Sequence, residues 1–200
     1  MAQQFDLFPA HPPTAPQNSR AAAPPGFTLV EHAIPPELEA DLAPRIDAVP
    51  LEPFKFGQWT GKRLTFSFGT GYDFAHGRPA EAPPFPQWLD TLRDRLAPLV
   101  GIDGGQIAQA LLIRYDPGAG IGWHRDRPIY GDVLGLSLSS PAILRLRRRT
   151  PTGFERCQVA LPPRSLYRLS DEARWDWEHS IAPMDVARRS ITLRTMRASS

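Results

Sequence analysis

The stretch Leu111–Asp126 reads LLIRYDPGAGIGWHRD and carries the sharpest signal in the chain. An apolar strand runs into Asp116-Pro117-Gly118, a turn signal that ends it. Gly120 and Gly122 then leave room for close backbone approach, and His124 and Asp126 follow two positions apart. On an extended segment, residues i and i+2 point to the same face, so this imidazole and this carboxylate can address one ion. A His, a carboxylate and a distant second His form the facial triad that holds non-haem Fe(II) and leaves coordination positions open. His179, in WDWEHSI, is the only histidine after His124 and is the natural third ligand. A bare H-x-D is weak, since a hydrogen-bonded histidine at a strand start is the commoner reason for one. The turn, the glycines and the strand after His179 add the weight.

That later strand is Arg188–Arg194, RRSITLR. In extended form Arg188, Ser190, Thr192 and Arg194 share one face, and Arg189, Ile191 and Leu193 share the other. One face is polar with two guanidinium groups; the other is largely apolar. A barrel with an internal anion cavity needs that arrangement. Arginine binds a carboxylate through two parallel hydrogen bonds, and 2-oxoglutarate has two carboxylates. A strand with its polar face in solvent is the competing reading.

Short strands broken by Gly and Pro are expected near 107–115, 133–139, 142–148, 156–161, 165–169 and 189–196, a spacing that suggests a sandwich or barrel. Before them, a short strand is expected at Phe27–Val30, then a helix over PPELEADLAPRIDAV. Pro36 sits in its first turn, and Leu38, Leu42 and Ile46 make a stripe. A second helix is expected from Pro86 to Leu99, with Trp88, Leu89, Leu92, Leu96 and Leu99 on one face. No internal repeat is visible. The fold class is α+β, with N-terminal helices against an all-β C-terminal core. Residues 1–25, rich in Pro, Ala and Gln, read as a flexible arm, and residues 26–200 as one domain.

The 200 residues are 42% hydrophobic, enough for a core. No run of about 18 apolar residues occurs, so no membrane span is expected. MAQQFDLFPAHPP does not read as a secretion signal. The single cysteine, Cys157, forms no internal disulfide and points to a reducing, cytoplasmic setting; on its strand it reads as a small buried hydrophobe. The net charge of +2 does not by itself establish a nucleic-acid partner. Of the 23 basic residues only Lys55 and Lys62 are lysines, and arginine favours planar contact with phosphate or carboxylate.

Together RYDPGAGIGWHRD, EARWDWEHSI and RRSITLR resemble the two iron segments and the R-x-N-x-T-x-R cosubstrate motif of the AlkB family. The resemblance covers roughly residue 26 to the C-terminus. It implies a double-stranded β-helix, or jelly-roll, core with N-terminal helices bracing one side. It implies Fe(II), 2-oxoglutarate and O2, with the metal on His124, Asp126 and His179. Arg188 matches the arginine on the distal carboxylate of 2-oxoglutarate, Arg194 the one beside its metal-proximal end, and Tyr115 the tyrosine bonded to the cosubstrate. Two positions depart from the family: Ile113 and Ser190 stand where it often has Asn. The implied reaction is oxidative demethylation of N-alkylated nucleobases in DNA or RNA, releasing formaldehyde, succinate and CO2. The same chemistry on a protein side chain is the alternative. A barrel without turnover is a third reading, which the intact His, Asp and Arg set opposes.

FGQWTGKRLTFSFGTGYDF, residues 56–74, resembles the family's substrate-covering segment. Trp59, Arg63 and Tyr72 are its candidate substrate contacts, since aromatic faces stack on bases for about 1–3 kcal/mol each, with ordinary core packing on a hairpin as the other reading. Phe66 and Phe68 read as core aromatics on a hairpin. Arg145, Arg147 and Arg149 share a strand face that either follows a phosphate backbone or is simply solvated. Trp175 and Trp177 read as core, with a wall beside His179 as the other option. His11, His32 and His76 read as surface or loop residues. In the arm, Gln4-Phe5-Asp6-Leu7-Phe8 looks like a sliding-clamp-binding peptide of the Q-L-x-L-F kind: Leu7 and Phe8 would fill an apolar pocket and Gln4 would orient them. Folding back onto the domain is the alternative. A monomer is expected.

Overall fold

The computed structural model describes residues 22–56, 59–73 and 78–198. The clamp-like residues Gln4, Leu7 and Phe8 lie outside the described residues, as do His11 and His76.

In chain order the elements are β1 (Phe27–Val30), α1 (Pro36–Asp47), β2 (Glu52–Phe56), β3 (Trp59–Asp73), β4 (Arg78–Glu81), α2 (Gln87–Leu96), β5 (Ile107–Tyr115), β6 (Ile121–His124), β7 (Tyr130–Leu138), β8 (Ala142–Thr150), β9 (Gly153–Leu161), β10 (Leu166–Leu169), α3 (Asp171–Trp175), β11 (Glu178–Ile181) and β12 (Arg188–Met196). The strands form two antiparallel sheets. The larger runs β1-β10-β7-β12-β5-β3-β2, with β4 attached to β3; the smaller runs β6-β11-β8-β9. Two such sheets, alternating along the chain and facing each other, make the expected jelly-roll.

Both predicted helices form and brace the larger sheet. In α1, Pro36 lies in the first turn, where a missing N–H costs nothing, and the stripe buries Leu42 and Ile46. In α2, Leu89, Leu92 and Leu96 are buried, and the predicted last turn tightens into a 3-10 turn over Ala97–Val100. These side chains pack on Leu112, Leu134, Leu136, Ile191 and Leu193 from the outer face of the larger sheet. Burial of each such Leu or Ile contributes about 1.5–3 kcal/mol. Phe66 and Phe68 meet edge to face with centroids 5.0 Å apart and pack against the same cluster, as core aromatics should. A second cluster lies between the sheets: Leu144, Leu146, Cys157, Leu161, Tyr167 and Trp177. Trp177 is therefore core, and its indole N–H donates to Glu172 at 3.1 Å.

The six predicted core strands all form, and β3 fits the hairpin reading of Phe66 and Phe68, but no strand was expected over β2, β4, β6 or β11. β2 and β4 lie at either end of the Gly- and aromatic-rich stretch, and β4, β6 and β11 have four residues each, too few for a period to show. The chain is docked from Pro24 onward, where Pro24, Pro25 and Gly26 carbonyls accept from Phe27, Ala173 and Ser170.

Candidate metal and cosubstrate site

His124 is the last residue of β6, and His179 lies in β11 directly across from it in the antiparallel pairing. The two imidazole centroids are 4.2 Å apart. Asp126 lies just past the strand end, yet its carboxylate turns to the same point, so the extended i, i+2 relation holds without a strand. One ligand atom from each of His124, Asp126 and His179 lies within 4.8 Å of the other two. Asp126 and His179 are buried.

The surroundings fix how each group is presented. His124 Nδ1 lies 2.9 Å from the Gly122 carbonyl, which can only accept, so Nδ1 carries the proton and Nε2 keeps its lone pair. Arg194 Nε donates to Asp126 Oδ1 at 2.7 Å, while Asp126 Oδ2 faces His179 Nε2 at 3.4 Å. Gln109, buried on β5 opposite Arg194, accepts from Arg194 Nη1 at 2.6 Å and donates to the Thr70 carbonyl at 2.7 Å. One carboxylate oxygen is thus held and the other is turned into the site, which is how outer partners orient metal ligands.

Burial pushes the His179 pKa down to about 3, with the neighbouring His124 adding to the shift. Burial likewise lowers His124. For Asp126 burial works upward, but the charge of Arg194, then the two imidazoles and Arg174, outweigh it and hold the carboxyl well below the usual carboxylate range. The set is therefore two neutral imidazoles and one carboxylate, the protonation state a divalent metal requires.

Gly120 earns its place. A Cβ there would meet the Ile181 carbonyl oxygen at 2.7 Å, so only glycine lets the two metal-bearing segments approach. Gly122 meets nothing within 4 Å, and the expected close approach is absent there.

Arg188 and Tyr115 face each other across β12 and β5. Arg188 is 1% exposed, and its guanidinium lies 5.2 Å from the Tyr115 ring centroid. Its Nη2 donates to Ser137 Oγ at 3.1 Å, whereas among the described residues Nε and Nη1 have no partner and no carboxylate pairs with it. A buried cation with open donors is costly unless an anion completes it. A dicarboxylic acid reaching from the triad into this end of the barrel fits the donor set. Ser190 and Thr192 are buried on the same face, between the two arginines. Ile113, in place of the family's amide, instead packs with Tyr115 and Ala119 in a small apolar cluster.

Arg63, on β3, is 7% exposed with its guanidinium 4.0 Å from the Phe54 ring centroid, and among the described residues its Nε has no partner. Burial lowers its pKa most; Tyr115 and Asp126 raise it and Arg194 lowers it, which places its charge beside the triad. The side chains of Trp59 and Tyr72 lie outside the described residues. His32 is exposed in a turn.

Sequence reasoning missed two residues. Gln109 was detectable as the one polar residue on the Gln109-Leu111-Ile113-Tyr115 face. Arg174 carried no such signal: it is 2% exposed and donates to the carbonyls of Gly131 at 2.7 Å, Tyr130 at 2.8 Å and Arg127 at 2.9 Å, clasping the segment that follows Asp126.

The chain belongs to the 2OG-Fe(II) oxygenase superfamily, whose family model matches residues 58–199. Its cofactor is Fe(II) and its cosubstrates are 2-oxoglutarate and O2, which the His-Asp-His set fits. Within that superfamily it is AlkB-like. It is 29% identical over 166 residues to the Xenopus tropicalis tRNA (carboxymethyluridine(34)-5-O)-methyltransferase alkbh8, covering 80% of this chain and 26% of that protein. An Arabidopsis thaliana protein, the alkylated DNA repair protein ALKBH8 homolog, is 26% identical over 186 residues, 78% of this chain and 51% of its own length. The uncharacterized protein L905 of Acanthamoeba polyphaga mimivirus is 28% identical over 168 residues, 79% of this chain and 73% of the viral protein. The solved structure of OsALKBH1 superposes with a TM-score of 0.68 at 13% identity, over 87% of this chain and 98% of that one. A Pseudomonas putida prolyl-4-hydroxylase gives 0.59 at 18% identity, over 87% and 94%. Both likenesses are of fold. No helix among the described residues is long and apolar enough to cross a membrane.

Proposed function

We propose that the protein oxidatively demethylates N-alkylated nucleobases in DNA or RNA, with His124, Asp126 and His179 as the Fe(II) ligands. The observation that carries the oxidative reading is the pairing of this triad, two of its members buried, with a buried arginine that has open donors and no ion pair among the described residues. The nucleic-acid reading is supported by AlkB-like relatives named for tRNA and for alkylated DNA, and by Arg63 beside the triad.

With the metal bound, 2-oxoglutarate and O2 supply the oxidising power, and the products are succinate, CO2 and a hydroxylated N-methyl group that leaves as formaldehyde. The chain's own groups bind and orient. Arg188 Nε and Nη1 donate to the far carboxylate of the cosubstrate, and Tyr115 lies beside them. Ser190 and Thr192 line the path between Arg188 and the triad. Arg194 holds Asp126 by one oxygen, and Gln109 holds Arg194. Trp59, Arg63 and Tyr72 are the candidate contacts for a flipped base, which must be gripped outside its stack; of the three, only the buried Arg63 has a described side chain.

Succinate release with Fe(II), ascorbate and 2-oxoglutarate, measured with and without methylated oligonucleotide, tests this. Stimulation by the oligonucleotide, with formaldehyde formed in step, is expected. Turnover indifferent to every methylated oligonucleotide in a panel would move the substrate to a protein side chain or small molecule.

A further inference from the structure

The outer face of the smaller sheet carries a comb of arginines that the proposed reaction does not use. On β8 and β9, Leu144, Leu146, Cys157 and Leu161 are buried toward the other sheet. Alternation therefore turns Arg145, Arg147 and Arg149 outward, with Phe154, Arg156 and Gln158 beside them on β9. Arg147 stands directly opposite Arg156, and Arg149 opposite Phe154. Like charges placed face to face across a ladder destabilise it.

Two aromatic rings lie among these cations. Trp123 has Arg147 at 4.4 Å and Arg145 at 5.1 Å from its ring centroid. Phe154 has Arg147 at 4.4 Å, Arg149 at 5.0 Å and Arg156 at 5.2 Å. Glu178 lies on this face, and Arg147 Nε donates to it at 2.6 Å. Arg145 reaches Ser180 Oγ and Arg156 the Phe154 carbonyl, but among the described residues Arg145, Arg149 and Arg156 form no ion pair. At the end of the face, a cleft of about 390 Å3 is lined by Arg125, Arg147, Arg148, Arg149, Phe154 and two acids, Asp176 and Glu178.

Protection of a sheet edge does not account for this. Edge guarding needs charge on β9 alone, and it needs neither aromatic rings nor arginines on the inner strand β8. Nor does the face suit a lipid surface, because guanidiniums dominate it and, among the described residues, only Ile143 offers a large exposed apolar side chain there. Guanidiniums recurring every second residue, about 6.7 Å apart on an extended strand, with ring faces between them, suit an extended polynucleotide: phosphates meet the cations and unstacked bases meet the rings.

We propose that this face is a second nucleic-acid surface, outside the barrel, that holds a single strand by its phosphate backbone. It rests on the proposed substrate class only in its choice of ligand. The test therefore uses an unmodified single-stranded oligonucleotide and reads binding, so it stands or falls apart from demethylation.

The variants are Arg145→Ala/Arg149→Ala/Arg156→Ala, and Arg156→Glu alone as a one-site change at an exposed position. The triple variant should bind the oligonucleotide at least tenfold more weakly at low salt. Its slope of log affinity against log salt should be shallower by about 2, three contacts at about 0.7 each for single strands. Arg156→Glu should shift both in the same direction by less. Phe154→Ala should loosen the single strand but leave a duplex of the same sequence unchanged. Succinate release without nucleic acid should equal wild type in all of them, which reports a folded barrel. Wild-type affinity and slope in the Arg156→Glu and folded triple variants overturn the proposal. So does a wild-type protein that binds anionic phosphatidylserine vesicles through these arginines and no oligonucleotide.

Discussion

Strands β12 and β8 both alternate arginine with aliphatic residues, and the barrel uses them in opposite ways. In β12, Arg188 and Arg194 turn inward, where Arg188 is 1% exposed with two donors open and Arg194 is locked to Asp126 and Gln109. In β8, Arg145, Arg147 and Arg149 turn outward onto Trp123, Phe154 and Glu178. Periodicity says which residues share a face. It does not say which face meets the core, because that depends on which strands the segment lies between. β12 sits mid-sheet between β5 and β7, its aliphatic side covered by helices, so its polar side has only the barrel interior to face. In β8 the aliphatic side fills the space between the sheets, and the arginines are left outside.

The largest effect that can break this contrast belongs to the inner group. His124→Ala should abolish Fe(II) binding and 2-oxoglutarate turnover while the melting temperature stays near wild type. A variant that keeps turnover removes the triad assignment.

Next comes Arg188→Met. Removing a charge-assisted carboxylate contact should cost about 2–5 kcal/mol of 2-oxoglutarate binding, read as a raised KM. The protein without cosubstrate should hold or gain stability, by on the order of 1–4 kcal/mol, because an unpaired buried cation is gone. Unchanged cosubstrate affinity would take that role from Arg188.

A smaller, graded effect is acid sensitivity of the metal-free protein. The His179 pKa falls from 6.5 unfolded to about 3 folded, so the unfolded chain binds the extra proton. Stability should be complete above pH 6.5 and decline as pH drops toward 3, with protonation of Asp126 adding to the loss at the acid end. Thermal melts from pH 8 to 4 that stay flat would show that the imidazoles are not buried.

The smallest effect belongs to the outer group. Arg147→Ala should lower stability by about 0.2–1 kcal/mol, since its pair with Glu178 is part-exposed, and leave 2-oxoglutarate KM unchanged. A rise in KM would mean that the two faces are not independent.

Much of this was legible in the sequence. Strand β5 was expected near 107–115 and ends where Asp116-Pro117-Gly118 turns the chain, and both helices were visible in their Leu stripes. His124 and Asp126 could be paired by spacing, and His179 added as the only histidine after His124. The rest depended on long-range contact. Strand β11 has four residues and exists because β6 and β8 pair with it on either side. The β2–β3 hairpin sits in a stretch where glycine and aromatics blur the period. Arg174 became informative only when its three carbonyl partners, distant in sequence, were brought under it.

Strand β12 opens with two adjacent arginines, so a one-residue slip would still offer the barrel interior a guanidinium. Asp47, at the C-terminal end of α1, separates the two: it takes Arg189 Nε at 3.0 Å on the outside of the sheet and lies 3.8 Å from Arg114 on the next strand. A carboxylate on a bracing helix thereby acts as the frame marker that decides which of two identical neighbours enters the reaction chamber.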